Sequence, residues 1–147
     1  MAIAQGMCTS FKVEILNGIH AFGTTVVRAG TTADTMKIAL YTSAATIGAT
    51  TTAYSVTNET SGTGYIAGGN TLTTVTPASS GTTAFTTFAD TTWATSSITA
   101  RGALIYNDTQ ADKAIAVLDF GSDKTSTGGN FTVGFSSDPS NAIIRIA

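Results

Sequence analysis

The sequence predicts an all-β fold: an antiparallel β-sandwich of jelly-roll or immunoglobulin-like kind, with one short N-terminal helix. Three observations carry this expectation. Short apolar runs recur at spacings of roughly 8–15 residues, as sandwich strands do. Gly, Asp, Asn or Ser closes each run, and these are the residues that turns require. The polar content is Thr, Ser, Asn and Gly, as in "TTAYSVTNETSGTG" and "TPASSGTTAFTTFADTTW". Thr suits a pleated surface, where its β-branched Cβ packs and its hydroxyl bonds across strands. With 147 residues the chain fits one domain, 1–147, able to bury roughly 70% of its unfolded surface. Residues 1–22 are expected to form an N-terminal arm and short helix, and residues 33–147 the sandwich.

The helix comes first. In "TSFKVEILNGIHAF", Phe11, Ile15, Leu16 and Ile19 recur at helical spacing, with Lys12, Glu14 and Asn17 off that stripe. Thr9 or Ser10 can cap the N-terminus, and Gly18 can take the left-handed position that ends a helix over residues 10–17. A helix this short is unstable alone in water and must dock its apolar face. It can dock on its own domain or on a neighbouring subunit; Phe11, Ile15, Leu16, Ile19 and Phe22 are the candidate assembly contacts.

The strands follow. "MKIALYT" alternates, with Met36, Ile38 and Leu40 on one face and Lys37, Ala39 and Tyr41 on the other, the pattern of a half-buried strand. "SAATIGATTTAYSVTNETSGTG" keeps no period and reads as a long loop. "YIAGGNTLTTVTPASSGTTAFTTFAD" holds two or three strands, with turns at Gly68-Gly69-Asn70 and over 77–81. "SSITARGALIYND", "KAIAVLDFGS", "GNFTVGFSS" and "AIIRIA" complete the set as separate strands. A turn from Asn107 to Lys113 joins 103–106 to 114–118 as a hairpin. Both faces of 103–106 are apolar, which marks a central strand.

Composition excludes several classes of function. Charged residues make up 11% of the chain, against about 25% in an ordinary domain. The net charge of −2 and pI near 5.0, with Lys and Arg scattered singly, leave no electrostatic footprint for nucleic acid. No apolar run approaches the roughly 20 residues of a spanning helix, so no membrane partner is expected. "MAIAQGMCTSFK" has neither the basic start nor the apolar stretch of an export leader. Cys8 is the single cysteine, placed on an arm expected to be mobile, so packing and not an intrachain disulfide holds the fold. A neutral, hydroxyl-rich surface is poorly defended against association. It fits a soluble β-domain of relaxed composition or, more pointedly, a protein covered by neighbours in an assembly.

No catalytic constellation emerges, and the chain is not expected to be an enzyme. His20 is the only histidine and reads as a packed or surface residue. One Cys and one His cannot supply the usual zinc ligands, so no metal and no cofactor are expected. Asp108, Asp112, Asp119 and Asp123 cluster in sequence, but Asp108 and Asp112 read as turn formers bonding their own backbone. "DFGSDKTSTGGNF" lacks the spaced ligands of a calcium loop. "GTGYIAGG" precedes a strand and not a helix, so it implies no dinucleotide site. The N-x-Thr triplets at Asn58, Asn107 and Asn130 are what a Thr-rich chain produces by chance.

"MCTSFKVEILNGIHAF", "DTMKIALYTSAATIGATTTAYS", "SGTGYIAGG", "FADTTWATSSITARGALIYND", "KAIAVLDFGSDKTSTGGNFTV" and the terminal "AIIRIA" together resemble a family of small tailed-bacteriophage virion proteins. The resemblance covers nearly the whole chain. Its most distinctive blocks are "MKIALYTSAATIGATTTAYS" and "ITARGALIYN". It implies a particle component, made in the host cytoplasm and located in the virion. The leading expectation is a head decoration, or cement, protein, trimeric, bound to the major capsid protein or other virion proteins. The alternative is a tail or fibre component whose loop 43–65 touches a receptor glycan. No functional residue carries over.

One charge sits oddly. On a period of two, Arg101 shares its strand face with Thr99, Ala103 and Ile105, small or apolar neighbours that leave its five N–H donors in need of acceptors. Asp90, Asp119 or loop carbonyls near Trp93 can supply them. Gly102 makes room for a bulge or another backbone. Trp93 is expected to anchor the core with its indole N–H on a carbonyl, and Tyr106, on one strand face with Leu104, is read as a further structural position. Arg101 is thus read as a structural residue, with ligand binding as the alternative. Arg101→Ala should lower folding or assembly stability, read by thermal denaturation and sizing; unchanged stability with loss of a bound ligand would reverse that assignment.

Overall fold

A computed structural model describes residues 2–16, 18–23 and 32–146, with backbone alone at 12, 13 and 16. The expected contact of the Leu16 side chain therefore lies outside what is described. The chain runs β1 (Gly6–Met7), α1 (Thr9–Leu16), β2 (Met36–Tyr41), β3 (Asn70–Thr71), β4 (Ala78–Ser80), β5 (Thr83–Thr86), β6 (Thr91–Asn107), β7 (Lys113–Val133) and β8 (Ile144–Ile146). The strands form a five-stranded sheet, ordered β1-β7-β6-β2-β3, and a three-stranded sheet, β4-β5-β8, with antiparallel pairing throughout. This is the all-β sandwich with one short helix.

β6 and β7 dominate it, with 17 and 21 residues paired from Asn107↔Lys113 to Thr91↔Val133. The expected break between "KAIAVLDFGS" and "GNFTVGFSS" is absent; both belong to β7. The Gly, Ser and Asp residues between them are absorbed as irregularities of register and not as a turn. Pairing jumps from Ala100↔Lys124 to Gly102↔Asp119, so residues 120–123 all stand opposite Arg101. Such bulges bend a strand and sharpen its twist without ending it. Gly121 (φ 78°) supplies the left-handed backbone there. The hairpin turn is as expected: a 3₁₀ turn over Asp108–Gln110, then Ala111 and Asp112 at φ 52° and 56°. Its local cap, however, is Asn107, whose Oδ1 accepts from the Gln110 N–H at 3.1 Å. Asp108 instead turns to Lys37, 3.7 Å away.

β2 is buried on both faces and not one: Ala39 is 0% and Tyr41 1% exposed. It lies between β6 and β3, and the loop before β3 folds over the face that alternation assigned to solvent. The turn expected over 77–81 is shorter, because Ala78–Ser80 is strand and Gly81 (φ 59°) begins the turn. Helix α1 ends as expected, with Gly18 at φ 67° and Ile19 N–H on the Glu14 carbonyl at 3.0 Å. Its start differs. Thr9 lies inside the helix, and Ser10 Oγ is buried without a partner among the described residues. The Thr9 N–H bonds the Ala49 carbonyl of the long loop at 2.9 Å, so backbone takes the place of a side-chain cap. Nor is the arm loose at residues 6–8: Gly6 and Met7 pair with Val117 and Ala116, and Cys8 is fully buried.

The core is built from Met36, Ile38, Leu40, Leu104, Ile105, Ile115 and Val117, all at or below 1% exposure, each side chain contributing about 1.5–3 kcal/mol by burial. Phe11, Phe22, Phe88 and Phe135 run through it as a chain of ring contacts at 5.9, 6.5 and 5.5 Å. Trp93 anchors the far end at 3% exposure, stacked on Tyr65 and edge-on to Phe131. Contrary to expectation, its indole N–H finds no acceptor among the described residues; the rings of Tyr65 and Phe131 pack against it.

Gly102 is held by close approach. A Cβ there would stand 2.5 Å from the Leu118 carbonyl oxygen and 3.0 Å from Ile3 Cγ2. Gly129, on the same hairpin, has nothing within 4 Å of that position. Gly102→Ala should therefore destabilise by about 1–3 kcal/mol, the range for overpacking, while Gly129→Ala stays near neutral; urea denaturation of the two variants checks this.

Candidate functional site

The densest polar chemistry lies where α1 and the segment after it meet the β6–β7 turn. Glu14, on α1, receives Lys113 Nζ at 2.9 Å on one oxygen and His20 Nε2 at 2.7 Å on the other. His20 Nδ1 lies 2.9 Å from Asn107 Nδ2, and the same amide nitrogen lies 2.9 Å from Asp34 Oδ2. Asp34 also accepts from the Ala21 N–H at 2.9 Å and from Gln110 Nε2 at 3.4 Å. The His20 side chain is fully buried and that of Glu14 is 12% exposed.

Proton positions follow from the donors that have no choice. The Gln110 backbone N–H can only donate, so the Asn107 atom it meets is the carbonyl oxygen. Asn107 Nδ2 then donates both to Asp34 and to His20 Nδ1. Nδ1 is therefore the lone-pair nitrogen, and Nε2 carries the proton that is donated to Glu14. No ring nitrogen is left open to a substrate, which a general base requires. His20 is packed, as expected, but as the centre of a hydrogen-bonded chain.

Burial opposes the Glu14 charge, yet the bonds from His20 and Lys113 and their charges outweigh it and hold its carboxyl below the ordinary 4.5. Burial pushes the Cys8 thiol up to about 11, with the Glu14 charge adding to it. Cys8 thus stays protonated at neutral pH and is a poor nucleophile.

A second hub organises the long loop. Glu59 accepts from Tyr54 Oη and Tyr65 Oη, each at 2.6 Å, and from the Gly68 N–H at 2.7 Å. Tyr41 Oη donates to the Ser55 carbonyl at 2.6 Å, and Tyr106 Oη to that of Gly68 at 2.8 Å. Burial raises all four phenols, Tyr41 to about 12, and the Glu59 charge adds to the shift in each. These are fixed donors that fasten the loop to β2 and β6.

Arg101 pairs with Asp119, one of the acceptors foreseen for it. Asp119 also takes the Gly121 N–H at 2.9 Å, so the ion pair clasps the start of the bulge opposite Arg101. Both side chains are about a quarter exposed.

No protein-family model, no curated protein and no solved structure matches the sequence. Function is therefore argued from geometry. Among the residues singled out in the sequence, Phe11 is fully buried against His20 and Phe22, while Ile15 and Phe22 pack partly buried on the core. The helix docks on its own chain. Ile19 is half-buried. Tyr106 and Gly102 are buried structural positions. Glu14, Asp34, Asn107, Lys113 and Glu59 were not visible as a set. The one available signal was that Glu14 and His20 sit just off a helical stripe that had to be buried. Asn107, read as a chance glycosylation triplet, is fully buried in the folded chain.

The Glu14 carboxylate, with its lowered folded value, contributes stability that is present above about pH 4.5 and fades as the pH falls through the folded value. Glu14→Gln should lose that part of the acid slope, seen as a flatter denaturation midpoint against pH below about 4.5.

Proposed function

We propose that the chain is a structural component of a tailed-bacteriophage particle: a head decoration, or cement, protein that stabilises the capsid lattice by protein–protein contacts. The observation that carries this reading is where the charges go. Glu14 meets His20 and Lys113, Arg101 meets Asp119, and Lys37 meets Asp108. What faces outward is largely hydroxyl-bearing, as over 61–64 and 78–82, and over residues 121–130, where Asp123 and Lys124 are the exposed charges and Ser126 alone is buried. Such a surface offers little like-charge repulsion to neighbours.

The large apolar side chains exposed among the described residues are Val56, Ile66, Val75 and Ile146, all aliphatic. Aliphatic projections suit contacts with protein; stacking on sugar rings calls for aromatic faces. This favours lattice contacts over a glycan-binding fibre role. The partners in this reading are the major capsid protein and further copies of the chain, with a trimer favoured by a lattice whose joints meet in threes. Bound there, the protein adds buried area across joints that packaged DNA pushes apart. A stable contact of this kind buries roughly 1,200–2,000 Å².

Stained gels of purified particles should show the chain at many copies, and heads lacking it should fail under heat or low salt. A few copies with normal heads would move it to the tail, and absence from particles would end the reading.

A further inference from the structure

We propose that the Glu14–His20–Asn107–Asp34 chain is a proton-sensitive latch that holds the N-terminal helix on the β6–β7 turn while His20 is neutral and releases it on protonation. The latch is a matter of donors and acceptors. A proton added to Nδ1 would point at the Asn107 amide NH₂, donor against donor, across 2.9 Å. Turning the amide over does not cure this. It sets Asn107 Nδ2 against the Gln110 N–H, now 3.1 Å from Oδ1, and Oδ1 against the Asp34 carboxylate, now 2.9 Å from Nδ2. Each rotamer of Asn107 thus leaves buried polar atoms mismatched, and such atoms are costly.

The charges around the ring come from each element packed there: Glu14 on α1, Asp34 ahead of β2, Lys113 at the start of β7, and the neutral thiol of Cys8 beside Glu14. The two carboxylates favour an imidazolium, but both are already engaged, Glu14 by Lys113 and Asp34 by the Ala21 N–H and Gln110. His20 is the single histidine, and histidine is the side chain that ordinarily changes charge between about pH 5 and 8. The contact is that of the neutral ring, and a proton added to Nδ1 removes it. Release frees Phe11, Ile15 and Phe22, which pack beside the ring or on the core.

Hydrogen exchange on the full chain at about pH 7.5 and about pH 5.5, corrected for intrinsic rates, tests this within the histidine window. Protection over 9–16 should fall by up to about tenfold, a change of about 1.4 kcal/mol, while that over 98–106 holds. Glu14 is still ionised at both values, so its own acid loss does not intrude. Equal protection of the helix at the two pH values, or a parallel fall in both regions, would overturn the latch. In His20→Gln the pH step should vanish; a step that survives overturns it. Should that variant fail to fold, long-range ¹⁵N spectra of the unaltered protein at about pH 7.5 decide instead. A proton on Nε2 is expected, and one on Nδ1 overturns the proposal.

Discussion

The antiparallel ladder between Thr91–Asn107 and Lys113–Val133 is the constraint on which the rest of the molecule hangs. β2 docks on one side of it and β1 on the other. The same ladder brings Asn107 and Lys113 together at the turn, where they meet Asp34, His20 and Glu14. It sets Trp93 against Phe131 at the opposite end. A ladder this long must bend to close over a core, and register irregularities such as the bulge opposite Arg101 are where strands bend. The Arg101–Asp119 pair and the Gly102–Leu118 approach keep that bulge in one register.

Polar groups in this chain do two separate jobs. Inside, Glu14, Asp34 and Glu59 each have several donors converging on them, so that burial leaves no carboxylate unmet. These bonds tie segments far apart in sequence: α1 to the start of β7, and the loop around Glu59 to β2 and β6. Outside, hydroxyls predominate, and several pair across the ladder, as Thr92 with Thr132 and Thr99 with Thr125. A hydroxyl satisfies water and a neighbouring protein about equally well, and it asks little desolvation energy of either. That is the physical tie between a Thr-rich exterior and the assembly role proposed for this chain.

The N-terminal segment links the two. Its helix is too short to persist without docking, and the docked state rests on Phe11 in the core and on one buried polar chain. Helix position therefore depends on the protonation of a few atoms as well as on apolar area.

The periodicity of apolar residues, the placing of turn residues and the Thr content determined the sandwich, the short helix with Gly18 at its end and the hairpin at Asn107–Lys113, and called for an acceptor for Arg101 without choosing among Asp90, Asp119 and loop carbonyls. Those are local or near-local matters, governed by repeat length and by the donors a buried guanidinium must satisfy. Tertiary structure alone decided that Gly and Ser within β7 bend the strand and do not end it, because pairing with β6 outweighs turn propensity over those residues. It alone decided the burial of both faces of β2, the unpaired indole of Trp93 and the meeting of Glu14, His20, Asp34 and Asn107. Each of these depends on which distant segments pack together, and hydrogen bonds spanning 73 and 87 residues leave no periodic trace in a sequence.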